Sequence, residues 1–409
     1  MSGTIFALTL DTLGKGLIYM ALALATLRLL PTGVLREASF AVVTCSGFYA
    51  IFFHSGSGVD LLDLGGFGGF AIYLVFGVLH WWVLQRCILH HAQPRWGYYI
   101  ALAVPLVPLV LVKIETAWHL VGFSYMAFRM VQAAMELQKA REETCAFWSY
   151  LGFLYFPLTV ALGPINPYLN HKRSLVRASY DWDAALYGLG RIAIGLVKLR
   201  LLSILAYQLT FSNLWLDGFE HGYADFLTSC LAYLVYMYFN FSGACDIVIG
   251  AAGILNIRIK ENFDSPFIAS NIRDYWNRWH ISLSELVRDL VFTPVFLNGT
   301  RALGATWALP ASMIAAMLTF TIIGLWHGFT SGFLLFGLWH GAGFCIHILW
   351  DHALSKCSRE TRKAIRLNTM YRAGSTILTI LFVALSMYFF ALPTLEQREA
   401  IWSVHTYKW

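Results

Sequence analysis

Three histidines in apolar or aromatic surroundings are the residues of this sequence best suited to chemistry. The pentapeptide Gly-Leu-Trp-His-Gly occurs at 324–328 and again at 337–341, so His327 and His340 have the same neighbours. His280 ends the polar and aromatic string 273–280. An ionisable ring in hydrocarbon is costly unless it is paired or takes part in function. Because the pKa of histidine lies near neutral pH, such a ring can remove a proton from a hydroxyl group.

Each histidine also has a structural interpretation. His327 or His340 could be hydrogen-bonded to a neighbouring helix and stabilise helix packing. The string before His280 could be an interfacial aromatic belt, with its tryptophans at headgroup level and its arginines on lipid headgroups. Four further polar residues stand alone, without a partner at a meaningful spacing, and are predicted to be structural: His54, His80, Asp246 and Glu115.

A short helix is predicted directly after His280. Ser282 and Glu285 have the spacing of a capping box, which would start a helix at this point. The segment 283–292 is too short and too charged to cross a membrane, so we expect an interfacial or half-buried helix. Pro294 cannot continue that helix in the ordinary way. The helix would hold His280 at a fixed position just beyond its N-terminus.

The two pentapeptides are predicted to lie on either side of a helix break. Gly328 and the polar residues 330–332 interrupt the apolar sequence. His327 would then end one helix, and His340 would lie roughly 12 Å along the next, too far for the two rings to act as one pair. A glycine beside the imidazole would also let a substrate or another part of the chain approach closely.

The composition predicts an integral membrane protein. Hydrophobic residues make up 58% of the 409 residues and charged residues only 13%, against about 25% charged residues in soluble domains. The clearest apolar runs are 17–30, 71–84, 98–112, 147–162, 227–239, 308–325, 333–349 and 375–392. Since a span needs roughly 20 apolar residues, we predict one membrane domain over residues 1–409 with about ten to twelve embedded helices, some short or broken.

The net charge of +6 does not indicate nucleic-acid binding, because the basic residues fall mainly at the ends of spans. The densest basic cluster lies within 356–372 and is predicted to face the cytoplasm, as a loop or as an amphipathic interfacial helix. The seven cysteines are scattered and show no C-x-x-C spacing. They are interpreted as small buried residues.

The motifs together resemble a known family. Residues 261–289 contain Glu-Asn-Phe, Pro-Phe, Asp-Tyr-Trp-Asn-Arg-Trp-His and Arg-Asp, and Gly-Leu-Trp-His-Gly follows at 324–328. This order resembles the membrane-bound O-acyltransferase (MBOAT) superfamily, in its bacterial branch of alginate and peptidoglycan O-acetyltransferases and teichoic-acid D-alanyl transferases. The strongest match covers 240–345. The resemblance implies a ring of helices around a thin central tunnel, in the inner (plasma) membrane.

The resemblance also implies an activity. An acyl group, acetyl or D-alanyl, would pass from a cytoplasmic thioester to a hydroxyl of an envelope polysaccharide, a teichoic-type polymer or a partner protein. The donor would be acyl-CoA or an acyl carrier protein, and a periplasmic or extracellular acyltransferase is an expected partner. No bound cofactor, no metal and no nucleic acid are expected.

Residue roles follow from the same resemblance. His327 falls on the family's near-invariant histidine and is expected to be the general base. His280 falls on the second required histidine, often asparagine in other branches, and is expected to orient or polarise the thioester carbonyl. Arg273 and Arg278 would dock an acidic carrier protein or the phosphates of coenzyme A. The residues expected to shape the substrate tunnel are Trp276, Asn277, Trp279, Trp326 and His340.

The sequence departs from the family's pattern at two places, and two other classes of protein are alternatives to an acyltransferase. Residues 242–246 replace the family's frequent Gly-Tyr-Ser-Asp, and 292–299 lack the Pro-Leu-Gly-Gly-Asn-rich loop of the alginate type. The length and the 47-residue separation of His280 and His327 are similar to those of the D-alanyl transferases. A transporter or flippase for an envelope precursor would show repeated halves with broken helices. A non-catalytic scaffold for a periplasmic transferase would tolerate loss of both histidines.

Overall fold

The chain is helical throughout the part that the computed structural model describes, which is residues 10–53, 65–89, 96–114, 122–140, 143–160, 162–177, 179–215 and 221–403. This part contains 20 α-helices, together with short π-helical and 3-10 turns. Its β-type pairing is limited to one antiparallel bridge, between Phe263 and Trp279. The predicted all-α class is therefore confirmed.

The helices group into two compact units, Met1–Gly195 with Ala244–Lys260, and Leu196–Gly243 with Glu261–Trp409. The helices of the first unit are α1 (Leu10–Leu29), α2 (Val34–Phe52), α3 (Gly65–Leu84), α4 (Trp96–Ile114), α5 (Phe123–Lys139), α6 (Phe147–Leu154), α7 (Pro157–Val160), α8 (Tyr168–Leu175) and most of α9 (Trp182–Val197). Each unit is described by itself.

The second unit carries the three histidines. Its helices are α10 (Ser203–Tyr207), α11 (Phe211–Leu214), the first part of α12 (Tyr223–Ile254), α13 (Ile272–Arg278), α14 (Ile281–Val287), α15 (Thr293–Leu303), α16 (Ala308–His327), α17 (Ser331–Ser355), α18 (Arg359–Leu367), α19 (Thr369–Ala391) and α20 (Leu395–Ser403). Pro294 lies in the first turn of α15, and a π-helical turn over Arg288–Phe292 joins α14 to α15.

Eight of the described helical stretches are long and apolar enough to cross a membrane. They are Asp11–Leu29, Val34–Phe52, Gly66–Leu89, Trp96–Ile114, Tyr223–Ile254, Ala305–His327, Ser331–Ser355 and Thr369–Ala391. The chain is thus a multi-pass membrane protein. The predicted ten to twelve embedded helices include pieces shorter than a span, in addition to stretches of this length.

One apolar run does not form a span. Residues 147–162 were expected to contribute an embedded helix, but α6 ends at Leu154 and α7 covers only four residues. Tyr155 and Phe156, between the two helices, are at most 1% exposed. The tyrosine hydroxyl donates to the carbonyl oxygen of Tyr73. Residues 149–157 are all buried by protein, which explains both why the middle of the run is apolar and how irregular backbone is tolerated there.

The basic segment after α17 forms an amphipathic helix, α18, which is one of the two forms expected for it. Ser358 caps this helix by accepting the backbone N–H of Thr361 at 3.1 Å. The cytoplasmic location of this segment remains a prediction. All seven cysteines are free thiols, and four of them are buried as predicted. Cys45 and Cys87 are half-buried, and the prediction of burial is wrong for Cys357, which is exposed.

Candidate active site

Two short segments of the second unit fix the backbone around His280. Residues 262–264 run antiparallel to residues 278–281. The N–H of Ile281 donates to the carbonyl oxygen of Asn262 at 3.0 Å. Because His280 lies inside this pairing, backbone hydrogen bonds on both sides determine its position.

His280 is itself the N-cap residue of α14. Its backbone has φ 45° and ψ 53°, in the left-handed region that residues other than glycine rarely adopt. Its carbonyl oxygen accepts the N–H of Ser284 at 3.0 Å. The predicted capping box is wrong, because Ser282 lies inside the helix and its hydroxyl donates to Oδ1 of Asn262 at 2.9 Å. Backbone strain of this kind, roughly 1–3 kcal/mol, persists where the surroundings fix the residue and is frequent at functional sites.

A buried asparagine sets the tautomer of the His280 ring. The side chain of Asn262 is fully buried, and its Oδ1 accepts the backbone N–H of Ser282 at 3.0 Å. A backbone N–H can only donate, so this atom is an acceptor and Nδ1 of His280, 3.3 Å away, must donate to it. Nε2 then carries a lone pair, and no described residue forms a hydrogen bond with it. The ring packs edge-on against Phe241 at 4.7 Å.

Burial keeps this imidazole neutral. The His280 residue is 6% exposed, and loss of hydration lowers the pKa of His280 to about 3. A neutral ring with a lone pair at Nε2 can accept a hydrogen bond or a proton. It has no N–H at that atom with which to polarise a carbonyl group.

The lowered pKa of His280 predicts an acid-sensitive fold. Between about pH 6.5 and pH 4, the unfolded chain binds a proton at this position that the folded chain does not, so acidification favours unfolding by up to about 1.4 kcal/mol per pH unit. Thermal unfolding midpoints measured from pH 7.5 to 4.5 should therefore fall, and fall less steeply in His280→Asn. An equal slope in both proteins would contradict the prediction. Some slope should remain in the variant, because burial also lowers the pKa of His171, in the first unit, to about 3.

His327 is the last residue of α16, as the helix break predicted. Its ring is half-buried and has aromatic neighbours on several sides. The ring centres of Trp326 and Phe390 lie at 4.5 Å and 4.7 Å, and those of Phe333 and Phe336 at 5.8 Å and 6.2 Å. The imidazole of His327 is thus held at a helix end. Because it is only half-buried, a ligand can reach it, whereas a fully buried ring is closed off.

Both ring nitrogens of His340 form hydrogen bonds with other side chains. The residue is fully buried in α17. The indole N–H of Trp276 donates to its Nδ1 at 3.3 Å, so its Nε2 carries the hydrogen and donates to the hydroxyl of Ser386 at 2.9 Å. That hydroxyl in turn donates to the carbonyl oxygen of Val383 at 2.6 Å. His340 therefore joins α13, α17 and α19, which favours the structural interpretation for this ring.

This network predicts a loss of stability on Ser386→Ala. The substitution leaves a buried imidazole N–H without its acceptor, which costs about 1–3 kcal/mol. We expect a lower thermal unfolding midpoint than in wild type. Ser375→Ala, at a half-buried serine in the first turns of the same helix, is the matched control and should change little. Equal effects of the two substitutions would mean that the hydroxyl of Ser386 is not what stabilises the packing.

The glycines of the duplicated pentapeptide serve helix packing. A Cβ atom on Gly324 would collide with the carbonyl oxygen of Phe333, and one on Gly337 would lie 2.5 Å from the carbonyl oxygen of Phe320. The first glycine of each copy therefore lets α16 and α17 approach closely. A Cβ atom on Gly328 would lie 2.9 Å from the ring of Phe333, so at this position the missing side chain makes room for that ring.

The expected tunnel residues are in different surroundings. Trp276 is 7% exposed and packs on His340 at 5.2 Å. Trp279 is 9% exposed and stacks on Tyr275 at 5.6 Å. Asn277, between the two tryptophans, is exposed and forms no hydrogen bond with the described residues. Trp276 is thus buried against His340, and Trp279 is buried directly before His280. Asn277 is exposed and contacts neither histidine through a hydrogen bond.

The two arginines expected to dock the donor are ion-paired. Nη1 of Arg273 lies 3.2 Å from Asp351. Arg278 donates from Nε to Asp274 at 2.7 Å and from Nη1 to Asp264 at 3.3 Å. The pairs with Asp351 and Asp264 join α13 to α17 and to the segment before α13, and the three carboxylates together offset the charge of both guanidinium groups. Their docking role remains a prediction without structural support.

The other polar candidates behave as structural residues where they are described. His80 has hydrogen-bonding partners at both nitrogens, the hydroxyl of Tyr150 at 2.5 Å and the carbonyl oxygen of Ala101 at 3.1 Å. Asp246 accepts from Nε of Arg191 at 2.8 Å. His54 and Glu115 lie outside the described residues. Within the described part of the chain, no three His, Cys, Asp or Glu side chains come together as a metal site would require.

Comparison with known proteins identifies the family. Residues 72–388 match the model of the membrane-bound O-acyltransferase (MBOAT) family. The chain therefore belongs to this family of O-acyltransferases, and the resemblance drawn from the motifs is confirmed.

Individual relatives lie in the expected branch. The chain is 31% identical over 220 residues to the teichoic acid D-alanyltransferase of Bacillus subtilis (strain 168), an alignment that covers 52% of this chain and 55% of that protein. It is 23% identical over 305 residues to the teichoic acid D-alanyltransferase of Streptococcus thermophilus, covering 71% and 73%. It is 34% identical over 166 residues to the peptidoglycan O-acetyltransferase of Helicobacter pylori, covering 41% and 28%. The match to the Bacillus protein thus spans little more than half of its length.

Proposed function

We propose that this protein transfers an acyl group from a cytoplasmic thioester, across the plasma membrane, to a hydroxyl of an envelope polymer or of a partner protein that passes it on. Family membership supports acyl transfer. The alignment with the Streptococcus thermophilus D-alanyltransferase covers 71% of the chain, more than the 41% of the peptidoglycan O-acetyltransferase and the 55% and 61% of two alginate O-acetylases, which favours D-alanyl over acetyl. A carrier-protein or coenzyme A thioester is the donor, since both present the acyl group on a long flexible arm.

The observation that carries this proposal is the Asn262–His280 pair. It holds a buried, neutral imidazole against the ring of Phe241, and no described residue forms a hydrogen bond with its Nε2 lone pair. Such an atom can accept a hydrogen bond from an amide N–H of the donor's thioester arm and orient that arm. Asparagine, the frequent residue at this position in other branches, can accept through its side-chain oxygen in the same way. Of the two expected roles of His280, we retain orientation and replace carbonyl polarisation by hydrogen-bond acceptance.

The reaction then needs one base. His327 removes the proton of the acceptor hydroxyl while the hydroxyl oxygen attacks the carbonyl carbon of the thioester. The carbon–sulfur bond breaks, and the thiolate takes the proton from His327 as it leaves. The products are an ester and a free thiol, and no proton or electron is gained or lost. The protein carries only the acyl arm into the roughly 30 Å thick hydrocarbon layer, so the charged remainder of the donor stays in water.

Reconstitution with labelled donors tests the function. The purified chain in nanodiscs is given radiolabelled D-alanyl or acetyl thioester, on a carrier protein or on coenzyme A, together with a polyol-phosphate acceptor polymer. We expect label to appear in ester linkage with the wild type and to be absent with the double variant His280→Ala/His327→Ala. Absence of ester-linked label with every donor, or transfer that the double variant performs equally well, would contradict the proposal.

A further inference from the structure

The first unit contains a polar cavity of about 270 Å³ that the proposed reaction does not use. This volume is several times the roughly 30 Å³ that a water molecule occupies in the liquid. Helix ends and the segments that follow them form its wall. The lining residues are Leu27, Arg28, Arg36, Ser174, Leu175, Arg177, Ser179, Tyr180, Leu255 and Asn256.

Three arginines and no acidic residue line this cavity. Arg36 is 6% exposed and is held by the carbonyl oxygens of Leu30 and Arg177, to which it donates at 2.6–2.9 Å. These acceptors fix its position but leave its positive charge uncompensated. Within the described chain, no carboxylate forms an ion pair with Arg36, Arg28 or Arg177.

A second arginine of the lining, Arg28, is held in place by two aromatic rings. The guanidinium of Arg28 lies 4.3 Å from the ring centre of Tyr180 and 5.4 Å from that of Trp182. Asn256 adopts the left-handed conformation, with φ 58°, and donates to the carbonyl oxygen of Ser179 at 2.9 Å. The site is therefore built from groups that other contacts hold in place before any ligand binds.

The height of the cavity in the membrane indicates its ligand. Arg28 lies in the last turn of the span Asp11–Leu29, and Arg36 in the first turn of the span Val34–Phe52. Both therefore lie at the level of the membrane surface, where lipid phosphates are found, and basic pockets between membrane helices bind such groups. Guanidinium groups match the geometry of phosphate oxygens. We propose that this cavity binds a phosphate group, either that of an anionic phospholipid headgroup or free phosphate.

Thermal unfolding in nanodiscs tests the proposal, with two probes that distinguish the sources. The first probe is phosphatidylglycerol added to phosphatidylcholine discs. The second is inorganic phosphate added to pure phosphatidylcholine discs, against chloride at equal ionic strength. A ligand that binds only the folded protein raises the unfolding midpoint. We expect a rise of several degrees in the wild type that is lost in Arg28→Gln/Arg177→Gln.

The matched control is Arg173→Gln, on α8 beside the cavity-lining Ser174 but outside the lining. Arg173 is an exposed cation 3.7 Å from Glu143, and its variant should keep the full rise. Arg36 stays unchanged, because its hydrogen bonds to carbonyl oxygens hold the fold. A rise with phosphatidylglycerol alone assigns the site to a lipid headgroup, and a rise with inorganic phosphate assigns it to free phosphate. No rise with either probe, a rise that survives the double substitution, or equal loss in Arg173→Gln would overturn the proposal.

Discussion

Replacing His327 by alanine should reduce acyl transfer by a factor of about 10²–10⁴, the range that one general base contributes. The acceptor hydroxyl would then have no group to take its proton as it attacks the thioester. The effect should fall on kcat, because a base acts in the transition state and contributes little to binding either substrate. Initial rates at saturating labelled thioester, in nanodiscs, measure this directly. Gel filtration and the unfolding midpoint establish that the variant is folded.

The second pentapeptide supplies a matched control. His340→Gln changes a histidine with the same four neighbours, whose ring nitrogens bond to Trp276 and Ser386. It should lower the unfolding midpoint and leave the rate per folded molecule near that of the wild type. Undiminished transfer in His327→Ala, or equal loss in His340→Gln, would remove His327 from the role of base.

The same measurements distinguish an acyltransferase from the two alternative classes of protein, a scaffold and a transporter or flippase. A scaffold for a separate transferase would work without either histidine, so its partner would acylate the polymer equally well beside the His327→Ala chain. A transporter or flippase would move a labelled precursor across the disc or vesicle without forming an ester bond. Only an acyltransferase should show ester formation that depends on this residue.

The helices were predictable from hydrophobicity. The embedded helix predicted over residues 147–162 was not found, and the reason is physical. An apolar run is required both by lipid and by a protein interior, so composition does not distinguish a span from a core segment. Pro157 prevents continuation of α6, and the break falls among residues that other helices cover. Run length and apolar content alone therefore overestimate the contribution of this segment.

The residues of the proposed site could be named from the sequence, but their hydrogen bonds could not. His280 and His327 were named from the motifs, and a helix after His280 was predicted, although the capping box on which that prediction rested is wrong. The role of Asn262 was not predicted, although it lies in the same motif 18 positions before His280. Its contact with the imidazole depends on antiparallel pairing of two segments, which no local pattern encodes. Ser386 gave no signal, since a serine in an apolar helix usually bonds to its own backbone.

Identical pentapeptides turned out to surround two different kinds of histidine. What separates them is position along the helix: His327 ends α16, whereas His340 lies in the middle of α17 with helices on several sides. The glycines common to both copies are explained by the close contact of α16 with α17. Part of the repeat is therefore a packing motif, and the chemistry that we propose uses only one copy.

Substituting His280 should give a result that depends on the replacement. His280→Ala removes the acceptor at Nε2 and leaves the buried Asn262 with one donor fewer, so we expect transfer to fall about 10- to 100-fold, as for loss of one or two hydrogen bonds. His280→Asn restores a side-chain acceptor and should recover most of that loss. The effect should appear mainly as a higher KM for the thioester, since orientation of the donor arm is also binding. Steady-state rates over a range of thioester concentrations measure both constants.

The His280→Asn variant distinguishes hydrogen-bond acceptance from proton transfer as the role of His280. An imidazole that acts by proton transfer cannot be replaced by an amide, which has no basicity near neutral pH, whereas one that accepts a hydrogen bond can. His327→Asn should accordingly be as inactive as His327→Ala, while His280→Asn and His280→Ala differ. If both residues behave alike, with neither rescued by asparagine, then His280 takes part in proton transfer. In that case the Nε2 lone pair fixed by Asn262 is a base in its own right.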